Sequence, residues 1–196
     1  LGRHVILPPL ILASSSSYRR ELLGRLRLAF EAIPPQIPEE PVPGESASDQ
    51  SLRLALAKAQ AVAERYPHAL VIGSDQVAAA GERVLGKPGD AARCRAQLSS
   101  LSGHTAHFYT GCALLGAGVR LAHVDTTTVV FRSLTAPEIE RYVACEQPYD
   151  CAGGFKAEGL GISLFECIES QDPTALIGLP LIWLAGALRG VGYPLP

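Results

Sequence analysis

An apolar run of four residues, Leu10-Ile-Leu-Ala13, breaks into four consecutive serines, Ser14–Ser17, and then into a stretch with Leu22, Leu23 and Leu26 at helical spacing. A short run that is apolar at every position suits a strand covered on both faces. A helix that follows it within a few residues must pack back onto that strand. This opening restricts the chain to folds that interleave strands with helices, and the remainder repeats the alternation.

The helix is predicted over Tyr18–Leu28, followed by a second short strand at Phe30–Ile33. The proline-restricted loop Pro34–Pro43 carries Glu39 and Glu40, and loops of this length and composition are often functional. Asp49 or Ser51 caps a helix that runs to Tyr66 and is stopped by Pro67. Strands follow at Leu70–Gly73, Gln76–Ala80 and Val84–Leu85, the last two a hairpin around Gly81-Glu82. Asp90 caps a helix to Leu101, and His104–Gly116 with Arg120–Phe131 form two long strands turning at Gly116–Gly118. A helix begins at Thr135-Ala-Pro-Glu138 with proline in its first turn. Leu160–Ile168 reads as a strand and Pro180–Arg189 as a closing helix. The predicted fold class is α/β: a mixed, twisted central sheet with flanking helices, in two lobes around a cleft.

At 196 residues the chain fits one domain, since domains usually span about 100–200 residues. Residues 1–9, without a Met at position 1, read as an extension, leaving residues 10–196 as the domain. The formal charge of −2 argues against a general nucleic-acid coat or a polybasic membrane anchor. The Val5–Ala13 stretch, interrupted by Pro8 and Pro9, is too short to span a bilayer. Five cysteines without a C-x-x-C pair read as reduced thiols and place the chain in the cytoplasm.

Only Lys58, Lys87 and Lys156 among the 17 basic residues are lysine. In a chain that otherwise uses arginine, a retained lysine marks a place where a compact ammonium is needed. All three are expected to point at one site. Around them stand other candidates. The serine turn at a helix N-terminus offers hydroxyls, free N–H groups and the positive dipole end, an anion site to which Arg19 adds a bidentate phosphate ligand. The alternative is a plain cap by Ser17. Asp75 sits at the C-terminal end of an apolar strand, where open α/β sheets place ligands, and can hold a divalent cation or orient a water. Lys87 projects from a turn rigidified by Pro88. On the second helix Leu52, Leu56, Ala59 and Ala63 are expected to share the apolar face; Lys58 falls beside Leu54, snorkelling or aimed at an anion. The stretch Asp150–Gly161 is rich in glycine and alanine, which lets a flat ligand approach the backbone, with Glu158 available as an acceptor. His104 and His107 would face opposite sides of their strand, so a shared metal is not expected there.

Taken together, the segments Leu12–Leu23, Ala57-Lys-Ala59, Gly73-Ser-Asp-Gln76, Gly86-Lys-Pro88, Leu98–Gly103, Phe131–Thr135, Ala152–Gly159 and Ile177–Leu181 resemble, in order, the Maf-like family of nucleoside triphosphate pyrophosphatases. The resemblance implies hydrolysis between the α and β phosphates with a divalent cation, Mg²⁺ or Mn²⁺, and a homodimer as the candidate assembly. It implies that Ser14, Arg19, Lys58 and Lys87 hold the triphosphate. Glu39 and Asp75 would bind metal and activate water, with Asp75 the proton acceptor, and Lys156 would lie in the base-recognition segment. Because Pro38 precedes Glu39 where the family commonly has an acidic or polar residue, the carboxylate is Glu39 or Glu40. Where many members carry Arg, Thr and Gln, this chain has Tyr18, Gln76 and Glu158, a set that looks like the subgroup acting on 7-methylguanosine triphosphate. The chemistry agrees: an N7-methylated purine is cationic, a Tyr face attracts it, and Glu158 can accept from N1–H and the exocyclic amine. Two alternatives stand beside this reading: the same chemistry on dTTP, UTP or another nucleotide, and a nucleotide-binding regulator of cell division.

Overall fold

The computed structural model describes residues 7–196. Strand β1 (Leu10–Ala13) leads into helix α1 (Ser17–Gly24), then β2 (Glu31–Ala32), α2 (Ala47–Ala63), β3 (Leu70–Ala80) and β4 (Arg83–Leu85). Helix α3 (Ala91–Leu101), β5 (Thr105–Gly116), β6 (Val119–Phe131), α4 (Ala136–Glu146), β7 (Phe165–Glu169) and α5 (Leu181–Gly190) complete the order. The seven strands form one mixed sheet in the order β2-β1-β3-β5-β6-β7, with β4 paired to β3. β1 runs parallel to β2 and β3, and every other pairing is antiparallel. The α/β class and mixed sheet are those expected from the sequence.

The chain leaves β1 for β2 on one side and returns to β3 on the other. The C-terminal ends of β1 and β3 therefore flank a point where strand order reverses, the usual ligand crevice of such sheets. The pairing of Ala13 with Gly73 puts Ser14 and Asp75 just beyond it.

Alternation along these strands builds two cores. Leu10, Leu12, Leu70 and Ile72 pack with α1 and α5, while Ile11, Ala13 and Val71 pack with Ala55, Ala59 and Val62 of α2. The far halves of β3, β5 and β6 carry a third core with α3 and α4, built around Phe108, Phe131, Leu98 and Tyr142. Two lobes thus share the same long strands, with Asp75 near their junction.

Several boundaries differ from expectation for local reasons. Helix α1 stops at Gly24, and Arg27 has a left-handed backbone (φ 55°). Ser16, not Ser17, caps it, accepting from the Arg19 N–H at 3.3 Å. Helix α2 starts earlier than Asp49 because Ser46 accepts from the Asp49 N–H and donates to its carboxylate at 2.7 Å. Its buried face is Ser51, Leu54, Ala55, Lys58, Ala59 and Val62 rather than the Leu52–Leu56 stripe, so Lys58 lies on the inward side. The region expected as a strand over Leu160–Ile168 begins with a 3₁₀ turn, Leu160–Leu164, before β7. Gly161 makes that turn possible, since a Cβ there would meet the Lys156 backbone. His104 precedes β5 and bonds through Nδ1 to the Ser102 carbonyl, whereas His107 bonds to Thr128.

Of the expected N-terminal extension, residues 1–6 lie outside the described residues. Residues 7–9 are tied to the domain: Leu7 packs on the α1–α5 core, Pro8 accepts from the Tyr193 hydroxyl and Pro9 accepts from the Leu70 N–H. Among the described residues, no helix is long and apolar enough to cross a membrane.

Candidate active site

A cleft of about 560 Å³ opens at the C-terminal ends of β1 and β3. Ser14, Tyr18, Arg19, Glu39, Lys58, Asp75, Gln76, Lys87 and Glu158 all line it. Nine of the ten residues singled out in the sequence are thus brought together. The tenth, Lys156, does not line the cleft but stands beside Tyr18, whose hydroxyl it draws toward ionisation.

The serine turn is organised from within. Ser14 is buried, and its Oγ accepts from the Ser16 N–H at 3.1 Å, which leaves its own proton for a ligand. Ser17 and Tyr18 occupy the first turn of α1, where N–H groups have no intrahelical acceptor. Arg19 Nε donates to the Gly178 carbonyl at 2.8 Å, so the remaining guanidinium nitrogens are the ones available to a phosphate. Burial holds that guanidinium below its ordinary value, while Asp75 and Glu39 pull it up.

Lys58 is buried, with its ammonium 2.6 Å from Asp75 Oδ1 and 3.0 Å from Glu39 Oε1. Glu39 lines the cleft and meets Lys58, whereas the Glu40 backbone carbonyl accepts from Arg53 at 3.2 Å. Arg53 also grips Glu45 through two bonds of 2.6 and 2.8 Å, which anchors the proline-rich loop so that Glu39 reaches Lys58. Nothing local in the sequence announces this pairing, whose partner lies eight residues back across a loop. Lys87 is exposed at the cleft wall above the buried Pro88.

Among the described residues, no group of three or more His, Cys, Asp or Glu side chains could hold a metal ion. Glu39 and Asp75 nevertheless place hard oxygen donors around one cationic centre. One or two carboxylates completed by substrate phosphates is the usual way proteins hold Mg²⁺. The donor set fits a divalent cation.

Gln76 acts as a strut. Its Nε2 donates to the Ala175 and Leu176 carbonyls at 3.0 and 2.9 Å, and Thr110 Oγ1 donates to Ala175 as well. Ser74 Oγ donates to the Gly178 carbonyl at 3.0 Å. The segment from Asp172 to Leu181 is thereby strapped across β3 and β5. Asp172 organises it by accepting from Thr174 and from the Ile182 N–H. Gly178 has φ +132° and a Cβ there would meet the Arg19 side chain at 3.5 Å. The Ile177–Leu181 motif was visible in the sequence without a role; the strap supplies one.

Asp125 lies beneath this strap, paired in register with Thr110. It is buried, its Oδ1 has no hydrogen-bond partner among the described residues, and His123 Nε2 stays 3.9 Å from Oδ2. Burial, then Asp172, raises its pKa, with His123 opposing. A carboxyl raised in the folded state favours folding below its unfolded value and loses that contribution as pH rises through the folded value. At neutral pH the ionised group costs stability. Asp125→Asn should therefore raise Tm at pH 7 by roughly 2–4 °C, for about 1 kcal/mol regained, with the gain shrinking in acid. A lower Tm at pH 7 would show that the carboxylate is satisfied.

The loop bearing Asp150 and Glu158 is pinned by Phe155, which sits edge-on to Phe108, Phe131 and Phe165 at 4.9–5.5 Å. Tyr18 faces this loop: burial raises its pKa, as do Cys151, Asp150 and Glu158.

Comparison with known proteins identifies the family. The family model described as Maf-like protein matches residues 9–191. A protein of Alkalilimnicola ehrlichii named 7-methyl-GTP pyrophosphatase is 58% identical over 96% of this chain and 96% of its own. Proteins of the same name from Xanthomonas axonopodis pv. citri and Ralstonia nicotianae are each 54% identical. The first alignment covers 97% of this chain and 100% of the relative, the second 96% and 98%. The solved structure of the Staphylococcus aureus Ham1 protein shares the fold at 15% identity, with a TM-score of 0.55 over 93% of this chain and 98% of that one. With nearly its whole length matched by the family model and by relatives above half identity, this chain belongs to the Maf-like protein family.

Proposed function

We propose that the protein hydrolyses 7-methyl-GTP to 7-methyl-GMP and diphosphate, using a divalent cation, Mg²⁺ or Mn²⁺. The observation that carries this reading is one cleft, lined by Arg19, Lys87, Tyr18 and Glu158, in which Lys58 meets both the Glu39 and Asp75 carboxylates. The names of relatives at 54–58% identity support it. Five free thiols and a small net charge fit a reducing cytoplasm and a small-molecule substrate.

In the reaction a water oxygen attacks the α phosphorus, the bond from that phosphorus to the oxygen bridging to the β phosphate breaks, and diphosphate leaves. Asp75 takes the proton from the water. Chemistry of this kind demands positioning and charge neutralisation more than a covalent nucleophile. Lys58, Lys87 and Arg19 meet the negative charge on the phosphate oxygens, and the Ser14 hydroxyl with the first-turn N–H groups of α1 hold the chain of phosphates in line. A divalent cation held by Glu39 and Asp75 would add charge neutralisation and lower the pKa of the attacking water. Tyr18 stacks on the cationic base, and Glu158 accepts from its Watson–Crick edge.

The test is diphosphate release from 7-methyl-GTP, GTP, dTTP, UTP and CTP with each metal. The expected result is a clear preference for the methylated purine. A pyrimidine preference would keep the chemistry and reject the base reading, whereas silence across the panel from folded protein would reject hydrolysis itself. Tyr18→Arg is expected to lower kcat/KM for 7-methyl-GTP roughly tenfold more than for UTP, as a cation–π contact worth ~0.5–2 kcal/mol gives way to repulsion. An equal loss on both would mean that Tyr18 does not sense ring charge.

A further inference from the structure

Helix α4 ends in a carboxylate. Glu146 is its last residue, at the end where the helix dipole disfavours negative charge. No ion pair meets it among the described residues. What it holds is backbone: its Oε2 accepts from the Leu160 N–H at 2.8 Å. One helical turn earlier, on the same face, the buried Tyr142 accepts through its hydroxyl from the Lys156 N–H at 3.0 Å. The two bonds flank a four-residue turn, Lys156–Gly159, which the Gly159 N–H closes by donating to the Lys156 carbonyl at 3.2 Å. Glu158 is the third residue of that turn, exposed and lining the cleft.

The packing leaves this turn little freedom. A Cβ on Gly159 would come within 2.9 Å of Glu146 Oε2, and one on Gly161 would strike the Lys156 carbonyl oxygen. Helix α4 is itself fixed, with Ile139, Tyr142 and Val143 buried and its first turn closed by the Thr135–Glu138 capping box. Glu138 also meets Arg132 at 3.0 Å, and Arg132 donates to the Ser163 carbonyl at 2.8 Å. Both ends of the segment that carries Glu158 are thus tied to one helix.

We propose that Glu146 is the positioning residue for Glu158: by holding the Leu160 N–H it fixes the turn that presents the Glu158 carboxylate to the Watson–Crick edge of the base, with Tyr142 as the second anchor. This rests on the reading above, in which Glu158 accepts from guanine N1–H and the exocyclic amine. Paired bonds of that kind need the carboxylate held within about 0.5 Å of its place. A flexible, exposed glutamate meets that demand only if its backbone is fixed. Glu146 does not line the cleft, so it acts through the turn.

The experiment measures kcat and KM for 7-methyl-GTP, and inhibition of that reaction by GTP and by inosine triphosphate, which is GTP without the exocyclic amine. Wild type should bind GTP more tightly than inosine triphosphate, and Glu158→Ala should abolish the difference. Glu146→Ala should raise KM for 7-methyl-GTP and shrink the preference for GTP about three- to tenfold, the worth of one hydrogen bond. Glu146→Gln keeps an oxygen for the Leu160 N–H and should retain the preference. Lys156 also feels the Glu146 charge, so an equal loss in Glu146→Gln would assign the effect to charge rather than to the bond and overturn the proposal. On the Glu158→Ala background, Glu146→Ala should raise KM little further; an additive loss would make Glu146 a general support of the fold and overturn the proposal too. If Glu146→Ala melts early, Glu146→Met, which keeps the bulk and removes the acceptor, is measured in its place. An unchanged preference in a folded variant overturns the proposal alone. A wild type that binds GTP and inosine triphosphate alike, or Glu158→Ala that keeps the difference, overturns the reading of Glu158 and the proposal with it, before Glu146 is changed.

Discussion

Asp75→Asn is expected to lower kcat roughly a thousandfold, within the range for loss of a positioned general base, while the protein still folds. Asparagine matches the carboxylate in shape and keeps an oxygen that can accept from Lys58 at the 2.6 Å contact, so the buried ammonium is not stranded. Glu39, at 3.0 Å, still carries a negative charge against it. What the variant lacks is a group that can take a proton from water, together with one anionic donor toward a cation. The measurements are diphosphate release under single-turnover conditions and a thermal melt. A melt close to wild type with activity lost places Asp75 in the chemistry. Full activity would remove it from the mechanism, and a collapsed melt would make its pair with Lys58 chiefly structural.

The second large effect is expected at Gly73, and it concerns how Lys58 comes to be near Asp75 at all. Helix α2 lies almost in contact with the sheet: a Cβ on Gly73 would strike the Ala55 carbonyl oxygen and come within 2.7 and 2.8 Å of the Ala59 backbone nitrogen and Cβ. Gly111 on the adjacent strand makes the same approach to Ser51 and Leu52. These are backbone contacts in a packed interior, which cannot swing aside as a flexible side chain would. Gly73→Ala should therefore destabilise by about 2–3 kcal/mol, in the range of overpacked cores, and lower Tm by roughly 5–10 °C. Because α2 carries Lys58, activity per folded molecule should fall as well. Gly190→Ala, at the end of α5 with nothing near its Cβ, is the control and should melt near wild type. If both variants melt alike, α2 is not seated on the glycines as described.

The glycine contact also explains why the inward face of α2 differs from the expected stripe. Hydrophobic periodicity places leucines inward, and Leu52, Leu56, Ala59 and Ala63 made an acceptable stripe. The helix instead turns Leu54, Ala55, Lys58, Ala59 and Val62 inward, small residues against the sheet glycines with Lys58 at the open end of the crevice. A buried lysine is tolerated there because two carboxylates meet it, and those come from a loop and a strand distant in sequence. Helical periodicity has no access to such partners. Of the three lysines that the surplus of arginine singles out, Lys58 and Lys87 line the cleft and Lys156 does not.

Much of what defines this protein is local, and the amino-acid sequence determines it alone. Apolar runs of strand length, the serine turn entering a helix, the Asp90 cap and the Thr135–Glu138 capping box follow from short-range sterics and hydrogen bonding, and the structure has each. The order of motifs was enough to identify the family. Tertiary structure alone decided which of two adjacent glutamates reaches the site, because Arg53 and Glu45 hold the proline-rich loop in one registration. It also turned Gln76 into a strut for the segment that orients Arg19, and left Asp125 Oδ1 beneath that strap with no hydrogen-bond partner among the described residues. These outcomes rest on contacts between residues eight to more than a hundred positions apart. Their energies exist only once the sheet has brought the strands side by side.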